Sequence, residues 1–276
     1  MTSWPGSKAM PLRLAMIAGL LACVPFLPAA QLDTLRFEGV PWITVRHSSA
    51  DDVRLYLFNP HGAAWKKFPR LAKALETSGD TLGFAMNAGM FHPDFRPVGL
   101  VVSGGRLQSP LNLDSASGNF FLKPNGVFWI KGRTAHISES RKYLELAIKP
   151  DLATQSGPLL LEAGKIHPRL DSLSKSLYPR NAVGIRGDSV FWAVNDSGVN
   201  LHQTARLFRD LLHCSDALFL DGHPSLWAPT ASRKDSLLEM GPILAIVSHK
   251  ATVPSRHPRS APRRMRRGHQ ATARKP

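Results

Sequence analysis

Residues 181–196, NAVGIRGDSVFWAVND, set the reading of the fold. Two runs rich in β-branched and aromatic residues flank Gly187-Asp188. That pattern predicts a hairpin with its tip at the Gly-Asp pair. The same form recurs outward along the chain. SGPLLLEAGKIHP (156–168) reads as strand, Gly turn and return. VGLVVSGGRL (98–107) turns at Ser103-Gly104-Gly105, and NFFLKPNGVFWIKG (119–132) turns at Lys123-Pro124-Asn125-Gly126. LRFEGVPWITVRH (35–47) and DVRLYLFNP (52–60) read as further strands, with NPHG as a turn. TLGFAM (81–86), ALFLD (217–221) and MGPILAIVSH (240–249) are short buried strands. Helical spacing is confined to two places. In FPRLAKALETSG the apolar residues are Phe68, Leu71, Ala72 and Leu75, with Gly79 as the stop. In VNLHQTARLFRDLLHCSD they are Leu201, Ala205, Phe208, Leu211 and Leu212, with Asn200 as N-cap. The expected fold class is α+β: a single mixed domain over residues 31–249, a hairpin-rich sheet with two or three packed helices.

The chain ends differ from this body. Of the net charge of +15, residues 250–276 carry +9 and residues 1–30 carry +2, with no acid in either. The remaining +4 is ordinary, so the body is not a nucleic-acid-binding domain by charge. The Pro- and Arg-rich tail has no apolar period and is expected to be disordered. It is suited to anionic surfaces, with no specific nucleic acid expected. Residues 1–30 read as an export signal, with Lys8 and Arg13 before an apolar run from Leu14 to Val24 that is short for a membrane span. Two processing sites compete: a lipoprotein box LLAC ending in Cys23, and PAA before Gln31. Export places the protein in the periplasm or outside the cell, lipid-anchored if Cys23 is the processed residue. Cys214 is then the one remaining cysteine, so the fold relies on its core; its apolar surroundings predict a buried, inert thiol.

Several buried runs end abruptly in small and polar residues. TLGFAM ends in Asn87-Ala88-Gly89, ATQ leads to Ser156-Gly157-Pro158, LYP to Arg180-Asn181, and ALFL to Asp221-Gly222-His223-Pro224-Ser225. Each alone is an ordinary turn. Together they are how a rigid scaffold presents polar groups to a cleft. His92, His167 and His223 show no metal-ligand spacing, and there is no HExxH, nucleophile elbow or P-loop. Neither a metal nor another cofactor is expected.

These segments carry a resemblance. MNAGMFHPDFRPVGLVVSGGRL, GNFFLKPNGVFWI, ATQSGPLLLEAGKIHP, RNAVGI, VNLHQTARLFRDLLHCSDALFLDG with SLWAP, and MGPILAIV, in this order over residues 34–248, resemble the phosphodiester glycosidase family. That family includes the lysosomal uncovering enzyme and many exported bacterial proteins, and the bacterial branch is the more similar. The resemblance implies hydrolysis of a sugar 1-phosphodiester. Asn87 and Gly89 match an Asn-Gly-Gly-Phe-like element in which Ala88 and Met90 are departures and Phe91 is kept. Gly99 matches a Pro-x-Gly element, Gly157-Pro158 the Gly-Pro element, and Arg180 the Arg before Ala-Val-Gly. Asp221-Gly222 matches the start of Asp-Gly-Gly-Gly-Ser; His223 and Pro224 replace its third and fourth residues and Ser225 keeps the Ser. A lost Gly re-aims a wall that backbone could otherwise bring close to a ligand.

The chemistry needed agrees in outline. A phosphodiester is an anion, for which Arg180 offers a planar donor fork. Glycosidic cleavage needs an acid and a base or nucleophile, but a phosphate ester is already a fair leaving group, so one carboxylate can suffice. Asp221 is the first choice, with Asn87 hydrogen-bonding sugar or phosphate. Asp94 and Asp196 are alternatives for a second carboxylate. Gly89, His92, Asp94, Gly99, Ser156, Gly157, Gly222, His223 and Ser225 are the expected substrate-binding residues. The expected partner is a phosphorylated or glycosylated small molecule or an envelope polymer. Two other function classes stand beside this one. One is a non-catalytic binder of envelope glycans or phosphopolymers, with Trp129, Trp192 or Trp227 as platforms. The other is polyanion binding through the tail.

Overall fold

The computed structural model describes residues 31–48, 52–222, 226–227 and 238–249. Residues 1–30, read as an export signal, the basic tail expected to be disordered, His223 and Ser225 lie outside these residues. Strand outweighs helix, and three antiparallel sheets are present where one was expected. The first holds seven strands: β1 (Gln31–Phe37), β2 (Val40–His47), β10 (Leu159–Glu162), β11 (Lys165–Ile166), β12 (Tyr178–Arg186), β13 (Ser189–Val199) and β14 (Asp216–Asp221), in the order β1-β2-β13-β12-β14-β10-β11. The second has four: β3 (Val53–Tyr56), β4 (Asp80–Asn87), β15 (Leu226–Trp227) and β16 (Ile243–His249), in the order β15-β4-β16-β3. The third has five: β5 (Val101–Ser103), β6 (Arg106–Ser109), β7 (Gly126–Lys131), β8 (Thr134–Glu139) and β9 (Leu152–Ser156), in the order β6-β5-β9-β7-β8.

Strand alternation explains how three sheets share one core. Phe84 and Met86 of β4, Phe128 and Ile130 of β7, Val183 of β12, Trp192 of β13, and Leu218 and Leu220 of β14 all enter a common cluster. Their neighbours face outward, where each sheet is covered by a short helix. Phe68, Leu71, Ala72 and Leu75 of α1 (Phe68–Thr77) cover the outer face of the second sheet. Tyr143 of α2 (Ser140–Glu145) packs on Val127 and Trp129. Ala205 of α3 (Leu201–Arg206), with Leu207, Phe208 and Leu212 after it, covers Ala182, Phe191 and Phe219 of the first sheet. The strands read as nearly continuous apolar runs because both of their faces are buried.

Local expectations hold at most turns. Arg186 pairs with Ser189 across Gly187-Asp188, and Ser103 with Arg106 across Gly104-Gly105. Gly79, at φ 85°, follows α1 as its stop, and Asn200 caps α3 in a reciprocal capping box with Gln203. Two readings need correction. NFF is a 3₁₀ turn, and β7 pairs with β8 across Gly132-Arg133, so that hairpin does not turn at Lys123–Gly126. The cause is local: Asn125 Nδ2 donates to the Phe120 carbonyl at 2.9 Å, closing 120–125 on itself. The second helix is shorter than its apolar spacing predicts. After Arg206 it passes into a π-helical turn, Leu207–Leu211, where the Leu212 N–H reaches the Leu207 carbonyl.

Close packing on the outer face of the first sheet depends on Gly184. A Cβ there would lie 2.4 Å from Phe208 Cδ1 and 3.0 Å from Cys214 Sγ. Cys214 is buried as expected, and burial pushes its thiol up to about 12.

Candidate active site

Strands from different sheets end at one point. Asn87 closes β4, Ser156 closes β9 and Asp221 closes β14. The Asn87 amide donates to Asp221 Oδ2 at 2.7 Å, and its own Oδ1 accepts the Gly89 N–H at 2.9 Å. The Gly222 N–H donates to Asp221 Oδ1 at 2.6 Å. Each carboxylate oxygen therefore accepts a hydrogen bond, which fixes the orientation of a half-buried acid between two sheets.

Asn181 completes this arrangement, although the sequence argument gave it no role of its own. It is fully buried; its Nδ2 donates to the Asn87 carbonyl at 3.0 Å, and its Oδ1 accepts the Asp221 N–H at 2.6 Å. One amide thus joins the first sheet to the second beside the carboxylate. It does so at a bulge: Asn181 faces Asp221, but Ala182 faces Phe219, leaving Leu220 as the extra residue. The bulge carbonyl is not wasted, since Ser156 Oγ donates to the Leu220 oxygen at 2.7 Å. Thr154 Oγ1 likewise donates to the Ala88 carbonyl at 2.9 Å. The signal for Asn181 was its place directly before Ala-Val-Gly, but a lone Asn at a strand start also reads as a turn residue.

Other expected residues fall elsewhere. Gly99 and Gly157 are buried beside Phe120. A Cβ on Gly99 would lie 2.6 Å from Gln155 Oε1, and one on Gly157 2.6 Å from Asn125 Cβ. Gln155 is the hub there: its Oε1 accepts the N–H groups of Leu100 and Asn112, and its Nε2 donates to the Asn112 carbonyl and to Ser140 Oγ. His92 and Asp94 are exposed and line a cavity of about 810 Å³ with Arg96 and Asn112. The Arg96 N–H and guanidinium hold the Asp94 carboxyl below its ordinary range. Asp196 is exposed, one residue beyond Asn195. Trp192 is core, and Trp129 stacks on His136 with centroids 4.1 Å apart. His167 is buried. Among the described residues no three His, Cys, Asp or Glu side chains gather as a metal-holding group.

Arg180 is buried on the opposite face of the first sheet from Asn181. Its Nε donates to the Val199 carbonyl at 3.1 Å and its Nη2 to the Ser176 carbonyl at 2.9 Å. The guanidinium lies over Phe219 at 5.1 Å and Tyr178 at 5.4 Å. Burial lowers its pKa to about 10.

The described cluster lies within the stretch that known proteins share. The phosphodiester glycosidase family model matches residues 80–227, from the start of β4 to the end of β15. The uncharacterized protein YigE of Escherichia coli (strain K12) is 30% identical over 223 residues, covering 79% of this chain and 86% of that one. Among solved structures, the fold is similar to the catalytic domain of zebrafish N-acetylglucosamine-1-phosphodiester alpha-N-acetylglucosaminidase, auto-inhibited by its pro-peptide. The TM-score is 0.58, at 16% identity, over 81% of this chain and 84% of that one. With the motif order, the family model and a relative matched along most of its length in agreement, the chain belongs to the phosphodiester glycosidase family.

Proposed function

We propose that the protein is an exported hydrolase that cleaves the bond between a sugar's anomeric carbon and a phosphodiester oxygen in envelope or extracellular glycans. The observation that carries this reading is the Asn87–Asp221 pair. A strand-end carboxylate held by donors on both oxygens is a preorganised group for chemistry at a sugar carbon. In the reaction the C1–O bond breaks and its electron pair stays on the phosphate oxygen. A water oxygen bonds to C1, and a phosphomonoester departs. Asp221 acts at C1, either taking the proton of the attacking water or forming the first bond itself; the anomeric configuration of the product distinguishes the two. Asn87 orients the carboxylate, and Asn181 and Ser156 hold the strand ends that carry it. The family supports the substrate class. The charged start and apolar run of residues 1–30 support export.

The test is hydrolysis of a panel of sugar 1-phosphodiesters by the full chain and by Asp221→Asn. Turnover by the wild type and none by the folded variant is the expected result. Binding of the same compounds without turnover would favour the non-catalytic glycan-binding reading, to which the Asp-Gly-His-Pro departure already points.

A further inference from the structure

One loop concentrates exposed apolar side chains. Leu173, Leu177 and Tyr178, ahead of and at the start of β12, are 79%, 51% and 56% exposed. Leu173 is the most exposed large apolar residue among the described residues. A single exposed leucine is ordinary, but a cluster in one loop marks an interaction surface. The loop is not free to turn these side chains inward. The Leu173 N–H donates to Asp171 Oδ1 at 2.8 Å, and the Leu177 N–H to the Lys175 carbonyl at 2.9 Å. Asn200 Nδ2 donates to the Ser172 and Ser174 carbonyls, and Arg180 Nη2 to the Ser176 carbonyl. Beneath it lies a cavity of about 150 Å³ lined by Ser174 and Ser176 of the loop with Asp171, Arg169, Arg180 and His202. That charged floor offers the leucines no apolar bed, so the loop is polar inward and apolar outward.

Size and charge identify what covers it. A stable protein interface buries about 800 Å² on each partner, well beyond what these few side chains supply. A lipid surface requires no matching shape, because each apolar side chain partitions by its own area. Lys175 stands between Leu173 and Leu177, exposed Arg169 and Lys165 lie just before them, and no acid occurs from 172 to 187. Cations beside apolar side chains, with a tyrosine at the margin, suit an anionic membrane interface. We propose that residues 171–178 form an interfacial anchor that inserts Leu173 and Leu177 into an anionic lipid surface, with Lys175 and Tyr178 at headgroup level. β12, which begins at Tyr178, sets Asn181 opposite Asp221, so the anchor holds the candidate site close to the lipid. The affinity of the loop for lipid does not depend on the hydrolase reading.

Fluorescence of the full chain carrying Leu173→Trp tests the anchor. It is read as a difference from the wild type, so that the native tryptophans and any attachment through residues 1–30 or the basic tail cancel. Vesicles of phosphatidylcholine and phosphatidylglycerol are expected to shift the added emission to the blue, and bromine on their acyl chains to quench it. In flotation at high salt, which screens the tail, Leu173→Ser combined with Leu177→Ser should weaken binding to the same vesicles about tenfold. Position 173 is exposed, so neither change disturbs the core. Added emission that responds neither to vesicles nor to bromine overturns the proposal, as does undiminished flotation of the double variant. A blue shift without lipid that grows with protein concentration overturns it in favour of a second copy of the chain. Equal quenching on phosphatidylcholine alone overturns the preference for an anionic surface.

Discussion

The two faces of the first sheet handle charge in opposite ways. On the inner face, Asp221 is half-buried and fixed by amide and backbone donors. On the outer face, Arg180 is fully buried and held by carbonyls and rings. The residues concerned are neighbours in sequence, Arg180 beside Asn181 and Asp221 beside Gly222. Strand alternation sends Arg180 and Asn181 to opposite faces of β12, and the bulge at Leu220 sets Asp221 opposite Asn181.

The contrast can be broken or sharpened by experiment. The largest effect is expected from Asp221→Asn, which should lower kcat by about a thousandfold or more with the unfolding midpoint nearly unchanged, because a positioned carboxylate contributes on that scale. Next is the seam beside it. Asn181→Ala removes one buried hydrogen bond between sheets and one within the first sheet, and should destabilise the protein by about 2–4 kcal/mol in denaturant unfolding. On the outer face, Gly184→Ala forces a methyl against Phe208 and should cost about 1–3 kcal/mol without altering KM. Smallest is a pH effect from three histidines whose charged form burial disfavours. Burial lowers the pKa of His47, with Asp52 at 3.5 Å partly opposing it. His136 and His167 are also lowered by burial. Each is favoured neutral in the fold. Their stabilising contribution is complete above the unfolded value of about 6.5 and is lost as pH falls through it towards the folded value. Thermal midpoints should therefore drop between about pH 7.5 and about pH 5.5, and His47→Leu should remove part of that drop.

Elements governed by their own residues were legible in the sequence. The hairpin at Gly187-Asp188, the stop at Gly79 and the cap at Asn200 all follow from local geometry. The strand ends at Asn87, Ser156 and Asp221 were nominated, and the fold brings these three together. What could not be read was long-range. Nothing in TLGFAM or RNAVGI says that they belong to different sheets, so the role of Asn181 as a bridge stayed hidden. Gly157 and Gly99 look like ligand-facing glycines, yet the space beside each is filled by Phe120 and by Asn125 or Gln155. The NFF segment failed for the opposite reason: its aromatics suit a strand, but a side-chain hydrogen bond from Asn125 makes a turn the better local solution.

Asn200 has a consequence beyond its cap. Its Oδ1 accepts the Gln203 N–H that starts α3, while its Nδ2 donates to the carbonyls of Ser172 and Ser174. Those serines belong to the segment whose Ser176 carbonyl holds Arg180, and Ser174 and Ser176 line its cavity. A single amide therefore ties the first turn of a helix to the cover of a charged chamber. The two should open as one cooperative unit in hydrogen exchange, with the amides of Thr204 and Leu177 losing protection at a common free energy.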